Sequence, residues 1–298
     1  MINVAAIVLN YNGYDETINF LDKIREIELI NYIVIIDNHS SDNSYTMIKE
    51  HLARDLASIG KFFLIRAPHN AGYAAGNNFG MRFALENFDV ELFLISNPDV
   101  MFGQDTIECL LDLYQLHKER IRLGAFAPSQ LNNLKSGYLT SWSLPNWLSD
   151  CLGSFLLIGK LVGKLKRIKI NKSVDYTEVD VVNGAFFAIP TKSMEKVGLF
   201  DIHTFLFCEE RILGKKLKNN GFHSFELTNC FYEHKQSTTI KSNIKLIDRF
   251  NILNKSRYYY LTKYFNLSIP QKFVVRFCFA FGIFEKKIYF NLRSFFKK

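Results

Sequence analysis

The sequence predicts an α/β protein built on a parallel sheet with helices on both faces. Three observations carry this. Four short apolar runs begin near residues 4, 32, 61 and 91, a helix-compatible segment follows each, and the links between them are short. The exit of every run also carries Asn, Asp or Ser. Strands of such a sheet present their carboxyl ends at one edge, so these four polar turns should converge on one cleft.

Val4 to Leu9 is a continuous apolar run, closed by the turn residues Asn10, Tyr11, Asn12 and Gly13. Asp15 then precedes Ile18, Leu21, Ile24 and Ile27 at helical spacing. Tyr32 to Ile36 repeats the strand pattern and runs into Asp37, Asn38, His39, Ser40, Ser41 and Asp42, whose side chains suit the start of a helix reaching His51. Lys61 to Ile65 reads as the third strand. Its exit, His69 to Asn78, carries Gly72 and Gly76, so backbone can approach a ligand closely before the next helix. The fourth run, Leu92 to Ile95, reads as covered on both faces and stops at Pro98, which cannot extend a ladder. Asp99 is thereby delivered just past a strand end on a stiff turn. It is a candidate metal ligand, with the cap of the helix after Gly103 as its structural alternative.

Bulk properties narrow the class. A length of 298 residues allows one to two domains. A hydrophobic share of 48% beside 22% charged residues is that of a soluble globular chain, and no stretch of about 18 uncharged apolar residues predicts a spanning helix. The start, Met1 to Val4, enters a strand pattern without a basic leader, so no export signal is expected. Five scattered cysteines without a Cys-x-x-Cys pair argue against a disulfide framework or zinc knuckle and fit a reduced, cytoplasmic compartment. The net charge of +8 belongs to the tail, where 13 Lys and Arg after residue 240 face only Asp248 and Glu285. Leu9 to Gly13 is no Gly-x-Gly-x-x-Gly turn and no Walker-type loop occurs, which disfavours a dinucleotide dehydrogenase.

Further along, Gln104 to His117 reads as a helix and Leu123 to Ala127 as a strand. Residues 136–177 lose any clean period. They hold Trp142, Trp147, an apolar patch from Leu152 to Val162, and then Lys160, Lys164, Lys166, Arg167, Lys169 and Lys172 with no acid between. Such a strip suits a membrane surface or an anionic lipid acceptor, or else a solvated helix face. Val179 to Val182 leads into Asn183, Gly184 and the apolar run ending at Pro190, and Glu209 and Glu210 sit at a predicted helix start, where the dipole favours acids. Phe222 to Leu227 reads as a last core strand, followed by Tyr232, Glu233, His234 and Lys235. Phe273 to Phe284 is too short and too interrupted by Arg276 to span a bilayer. With Arg257, Lys286, Lys287, Arg293, Lys297 and Lys298 it reads as part of one or two interfacial helices. No recognised module accompanies this charge, so nucleic acid is not an expected partner.

Four ordered motifs, Val8 to Asn12, Ile36 to Ser44, Asn70 to Asn78 and Asn97 to Val100, resemble those of the inverting glycosyltransferases of family 2, most closely the rhamnosyltransferase-like branch that builds bacterial surface polysaccharides. The likeness fades after about residue 239. It implies a GT-A fold, a Rossmann-like mixed sheet flanked by helices, over residues 1–239, with a helical, basic and aromatic, membrane-associating extension over 240–298. It also implies a nucleotide-diphosphate sugar donor, UDP- or dTDP-linked. Asp37 would hold its base or ribose, with Leu9, Asn10, Asn12, Asn38, Asn70, Gly72, Gly76, Asn78 and Asn97 lining the same pocket. Asp99 and His234 match the positions that hold Mg²⁺ or Mn²⁺ on the diphosphate. Asn97 replaces a second aspartate carried there by many relatives. Asn183, Gly184 and Glu209 match the acceptor side, and Glu210 the general base, where relatives carry Glu-Asp and often a further acid at the position of Ile212. An unshifted carboxylate pKa near ~4.3 would leave that base ionised at neutral pH.

The resemblance therefore implies an inverting, metal-dependent transfer of a hexose or a deoxyhexose such as rhamnose to a lipid-linked or growing surface-polysaccharide acceptor. The expected location is cytoplasmic and peripheral on the inner face of the cell membrane, and a homo-oligomer is compatible with the sequence. The competing reading, motivated by Asn97 and Ile212, is a GT-A-fold protein without catalysis that binds a nucleotide sugar or serves as a partner subunit. A nucleotidyltransferase would need a triphosphate-binding basic loop near the first strand, and none is present.

Overall fold

The computed structural model describes residues 2–56, 60–165, 167–171, 173–234 and 246–295, with backbone alone at 246 and 291–295. The four apolar runs form β1 (Val4–Asn10), β2 (Tyr32–Asp37), β3 (Phe62–Arg66) and β4 (Leu92–Ser96). All are parallel, with β1 between β2 and β4 and with β3 outside β2. Their crossovers contain α1 (Tyr14–Ile24), α2 (Ser44–His51) and α3 (Tyr73–Asn87), while a two-residue β5 (Val100–Met101) and α4 (Gln104–His117) follow β4. The register sets Asn10 level with Asp37 and Asp37 level with Arg66, so three strand ends finish side by side.

Beyond β4 the parallel arrangement ends. The strand β8 (Phe186–Pro190) pairs with β4 antiparallel. It is reached through a long excursion containing β6 (Leu123–Gln130), α5 (Leu131–Ser136), α6 (Trp147–Leu152), α7 (Leu156–Leu165) and β7 (Tyr176–Val179), and it enters the sheet from the opposite end. After it come α8 (Thr191–Lys196), α9 (Glu209–Asn219) and β9 (His223–His234). The complete order is β3-β2-β1-β4-β8-β6-β9-β5, with β7 on β9. The wholly parallel sheet that the repeated units predict thus holds only for β3-β2-β1-β4, and the whole is the mixed sheet that the motifs imply. The missing overall period across 136–177 also has a cause: short helices and a short strand, none longer than ten residues, alternate there with loops.

Both faces of the sheet are buried. Alternate residues of β1 serve opposite cores: Ala6 and Val8 pack with Leu21 of α1 and Ile107 of α4, whereas Ala5 and Ile7 pack with Met81 of α3 and Leu213 of α9. Close approach of α3 needs Gly80, where a Cβ would collide with the Ile36 side chain. A third core joins Cys151 of α6 and Ile212 of α9 to α10 (Leu246–Tyr264) and α11 (Ile269–Phe295) through Tyr260, Leu261, Val275 and Phe279. The tail is therefore the expected pair of helices, but one face of α10 is inside the protein. The expected boundary at 239/240 falls outside the described residues, as do Lys166, Lys172, Lys235, Lys297 and Lys298. Among the described residues, no helix is long and apolar enough to cross a membrane.

Candidate active site

The ends of β1, β2 and β3 build one polar cluster. Asp37 is fully buried, and its carboxylate accepts from the Asn10 side-chain amide at 3.1 Å and the Ser40 backbone N–H at 3.1 Å, with Arg66 Nε at 3.3 Å. Asn10, also buried, gives a second hydrogen to Ser40 Oγ and accepts from the Thr17 hydroxyl. Asn12 takes a left-handed φ of 51° and zips the first loop to the second, its backbone N–H donating to Ser40 Oγ and its Oδ1 accepting from Ser41 N–H. The Asn38 amide donates to Asn70 Oδ1 at 3.0 Å and to the Gly72 carbonyl at 3.3 Å. Its own Oδ1 is buried without a protein partner, an acceptor in want of a donor.

Several residues expected to line this pocket shape it instead of presenting polar atoms. Gly72 has φ +91°, and a Cβ there would run into the Phe205 carbonyl. A Cβ on Gly76 would lie 2.5 Å from Leu9 Cδ1, so that glycine and Leu9 set how closely α3 approaches β1. Asn78 uses both ends of its amide on the Phe200 backbone, at 2.9 and 3.0 Å. Arg66 was not singled out by the sequence. It sits at the cluster's mouth, 44% exposed, with its guanidinium 5.1 Å from the Tyr45 ring centroid. A cation ending the third strand, level with an acid ending the second, is the signal that aligning the strand ends supplies.

The turn that carries Asp99 owes its geometry to the short β5. Pairing of β5 with the far end of β9 puts Val100 opposite His234. His234 Nε2 consequently lies 3.2 Å from either Asp99 oxygen, both side chains being largely covered. Asp99 is not the cap of α4, which begins after Gly103 without a side-chain cap. A carboxylate and an imidazole in contact suit Mg²⁺ or Mn²⁺. Among the described residues no group of three His, Cys, Asp or Glu could hold a metal, so an ion on Asp99 and His234 would draw further ligands from elsewhere, such as phosphate oxygens. An open pocket of about 140 Å³, bordered by Glu16, Lys23, Asp99 and Met101, lies against this turn.

At the third corner stands Glu210. Phe207 and Cys208 both adopt left-handed φ, 71° and 72°, a costly pair for non-glycine residues. The loop is held there by the Tyr73 N–H on the Phe205 carbonyl (3.1 Å) and the Ser256 hydroxyl on the Leu206 carbonyl (2.7 Å). The result is an α9 that opens with Glu209 and Glu210 in its first turn. Glu210 is half-buried beside Gly184, where a Cβ would stand 2.7 Å from its Oε1. Tyr73 donates its hydroxyl hydrogen to the Gly184 carbonyl at 2.7 Å.

The ordinary pKa expected for Glu210 does not hold. Burial raises it, only partly opposed by a backbone hydrogen bond and the neighbouring Arg211 charge. Glu209, expected on the acceptor side, is 4% exposed, and one of its oxygens lacks a partner. Burial first, then Glu210, pushes its pKa far upward. The absent further acid also finds a reason: Ile212 is fully buried in the third core, where a carboxylate would be costly.

Residues 183–185 connect the corners. Asn183 Oδ1 accepts from the Ala185 N–H at 2.9 Å, the Ala185 carbonyl accepts from the Asn97 N–H at 2.8 Å, and Gly184 touches Glu210. Residues 183–185 thus link the Asn97 backbone to Glu210, while Asp99 and Glu210 line separate cavities, the first against α1 and the second against α9.

Comparison with known proteins follows this geometry. The family profile described as Glycosyl transferase family 2 matches residues 5–197. The low-salt glycan biosynthesis hexosyltransferase Agl10 of Haloferax volcanii is 25% identical over 208 residues, 70% of this chain and 59% of that protein. The chain therefore spans less than two thirds of that relative's length. Among solved structures, the mannosyltransferase PcManGT from Pyrobaculum calidifontis, in complex with GDP-Man and Mn²⁺, is similar with a TM-score of 0.57 and 14% identity, over 92% of this chain and 68% of that one. GalNAc-T7 with UDP, GalNAc and Mn²⁺ gives 0.56 and 13%, over 99% and 58%. Residues 1–349 of S. aureus TarS with UDP-GlcNAc give 0.54 and 12%, over 91% and 69%. At such identities the likeness is one of fold.

Proposed function

The chain belongs to glycosyltransferase family 2 and has the GT-A fold, and from that premise we propose that it moves a hexosyl or deoxyhexosyl group, rhamnosyl among them, from a UDP- or dTDP-linked donor to a lipid-linked or growing polysaccharide acceptor with inversion. The observation that supports this reading is the connection through residues 183–185, from the turn after β4, where Asp99 meets His234, to Gly184 beside Glu210. A single displacement needs the leaving group on one side of the anomeric carbon and the base on the other. The hexosyltransferase Agl10, the GDP-Man and Mn²⁺ in the PcManGT complex and the UDP, GalNAc and Mn²⁺ with GalNAc-T7 support the same reading.

In this mechanism the nucleotide lies against the ends of β1, β2 and β3, where Asn38 Oδ1 accepts one of its hydrogens. Asp99 and His234 would hold the divalent ion, which when bound neutralises charge growing on the departing diphosphate. Glu210 receives the acceptor hydroxyl's proton as that oxygen bonds to the anomeric carbon and the carbon–diphosphate bond breaks. Its raised pKa makes it a stronger base than a solvated glutamate. Glu209, holding its proton more tightly still, removes a like charge that would oppose ionisation of Glu210. Residues 1–239 are the transferase domain in this reading and 240–298 an extension that brings the enzyme, from the cytoplasm, to the inner face of the membrane.

A thermal-shift screen of nucleotide-diphosphate sugars with and without Mn²⁺ tests the donor. A ligand at 100 times its Kd stabilises by about 2.7 kcal/mol, so one donor should raise Tm by several degrees, and more so with metal. No response to any nucleotide sugar would refute the reading.

A further inference from the structure

Two helices far apart in the chain leave apolar stripes uncovered on the same side of the third core. On α11, Phe273, Phe277, Phe281 and Phe284 follow each other at intervals of four, four and three and are 45–67% exposed. The opposite face of that helix, Val275 and Phe279, is buried. On α7, Leu157, Leu161 and Leu165 repeat every four residues and are 59–78% exposed. Their neighbourhood is fixed by direct contacts. The Leu156 N–H donates to Glu285 Oε2 at 2.8 Å, the Phe155 and Phe281 rings lie 5.9 Å apart, Lys286 reaches the Ser154 carbonyl, and Gly282 packs against Ser154.

The rim of this surface is cationic. Lys160 and Lys164 flank the leucine stripe, and Arg276 and Lys287 flank the phenylalanine stripe on the helical wheel, all four exposed. Glu285 is the single acid in α7 and α11, and its carboxylate is engaged on the α7 backbone. We propose that α7 and α11 together form one docking face for an anionic bilayer surface, the phenylalanines and leucines entering the headgroup boundary while the cations meet lipid phosphates. Such a face combines apolar burial with electrostatic attraction, the two components of interfacial binding. A second copy of the chain is the poorer occupant, because pairing this face with itself opposes Lys and Arg on both sides with no acid to receive them. The inference rests on the peripheral-membrane part of the reading above and not on the sugar chemistry. It differs from docking by the tail alone in requiring α7.

Co-sedimentation of the full chain with vesicles reads this without any transfer assay. Binding to phosphatidylglycerol-containing vesicles should exceed binding to pure phosphatidylcholine by about tenfold or more and weaken as salt is raised. The double variants Leu157→Ser with Leu161→Ser, and Phe273→Ser with Phe277→Ser, should each lower it about tenfold with Tm unchanged, since these positions are exposed. Unchanged binding by the α7 variant would overturn the joint face while leaving tail docking intact. Equal binding to neutral vesicles, or none to either together with dimerisation in sedimentation velocity that the variants abolish, would overturn the lipid partner.

Discussion

Burial in the first turn of α9 raises the pKa of Glu210. Because its pKa is raised in the fold, the group stays protonated above the ordinary glutamate range. The acidic limb of kcat/KM against pH should therefore lie above ~4.3, with activity lost as pH falls through the shifted value. A limb at the ordinary carboxylate position would remove burial as the tuning influence. Gly184→Ala tests the same contact sterically: a Cβ 2.7 Å from Glu210 Oε1 should displace the base and lower kcat by on the order of 10²-fold with little change in Tm. At this scale the turn after β4 that carries Asp99 and the helix start at Glu209 and Glu210 were legible from residue pattern. Arg66, the strain at Phe207 and Cys208 and the Gly184 contact were not, because register and tertiary packing create them.

At the scale of elements, strands β1, β2 and β4 could be read directly, since strands covered on both faces need continuous apolar runs, and the half-buried edge strand β3 is apolar as well. Direction is another matter. Nothing in Phe186 to Pro190 says that β8 runs antiparallel to β4, and a two-residue β5 has no pattern at all, although it is what sets Asp99 against His234. The base helix and the tail are joined by buried charge: Arg211, next to Glu210, pairs with Asp150 at 2.9 Å, and Arg257 of α10 reaches both the carboxylate and carbonyl of Asp150. Asp150 and Arg257 are buried and Arg211 is a quarter exposed, so the two buried charges depend on their pairing. Asp150→Ala leaves two guanidinium groups without their shared carboxylate and should cost about 3–5 kcal/mol in denaturant unfolding. A loss below about 1 kcal/mol would show the cluster to be solvated.

Across the whole molecule, a half-sheet with parallel strands carries the polar cluster around Asp37, and the pairing of β5 with the long β9 sets Asp99 against His234. The tail helices close the far side of α9, with Tyr259 and Tyr264 hydroxyls both on Asp201 at 2.7 and 2.5 Å, and burial of Tyr260 and Leu261 makes α10 part of the fold. Composition placed that tail at an interface because its charge and aromatics are visible in sequence, while its inward face depends on partners 50 or more residues away. The central claim is that Asp99 and Glu210 act on one bound donor from opposite sides. The most direct measurement is nucleoside-diphosphate release from the preferred nucleotide sugar, with acceptor present, by the wild type, Asp99→Ala and Glu210→Gln, each paired with donor binding. Both variants should lose turnover, Glu210→Gln by about 10²–10⁴-fold while still binding donor, and Asp99→Ala with donor binding weakened. Normal turnover by Glu210→Gln would contradict the account.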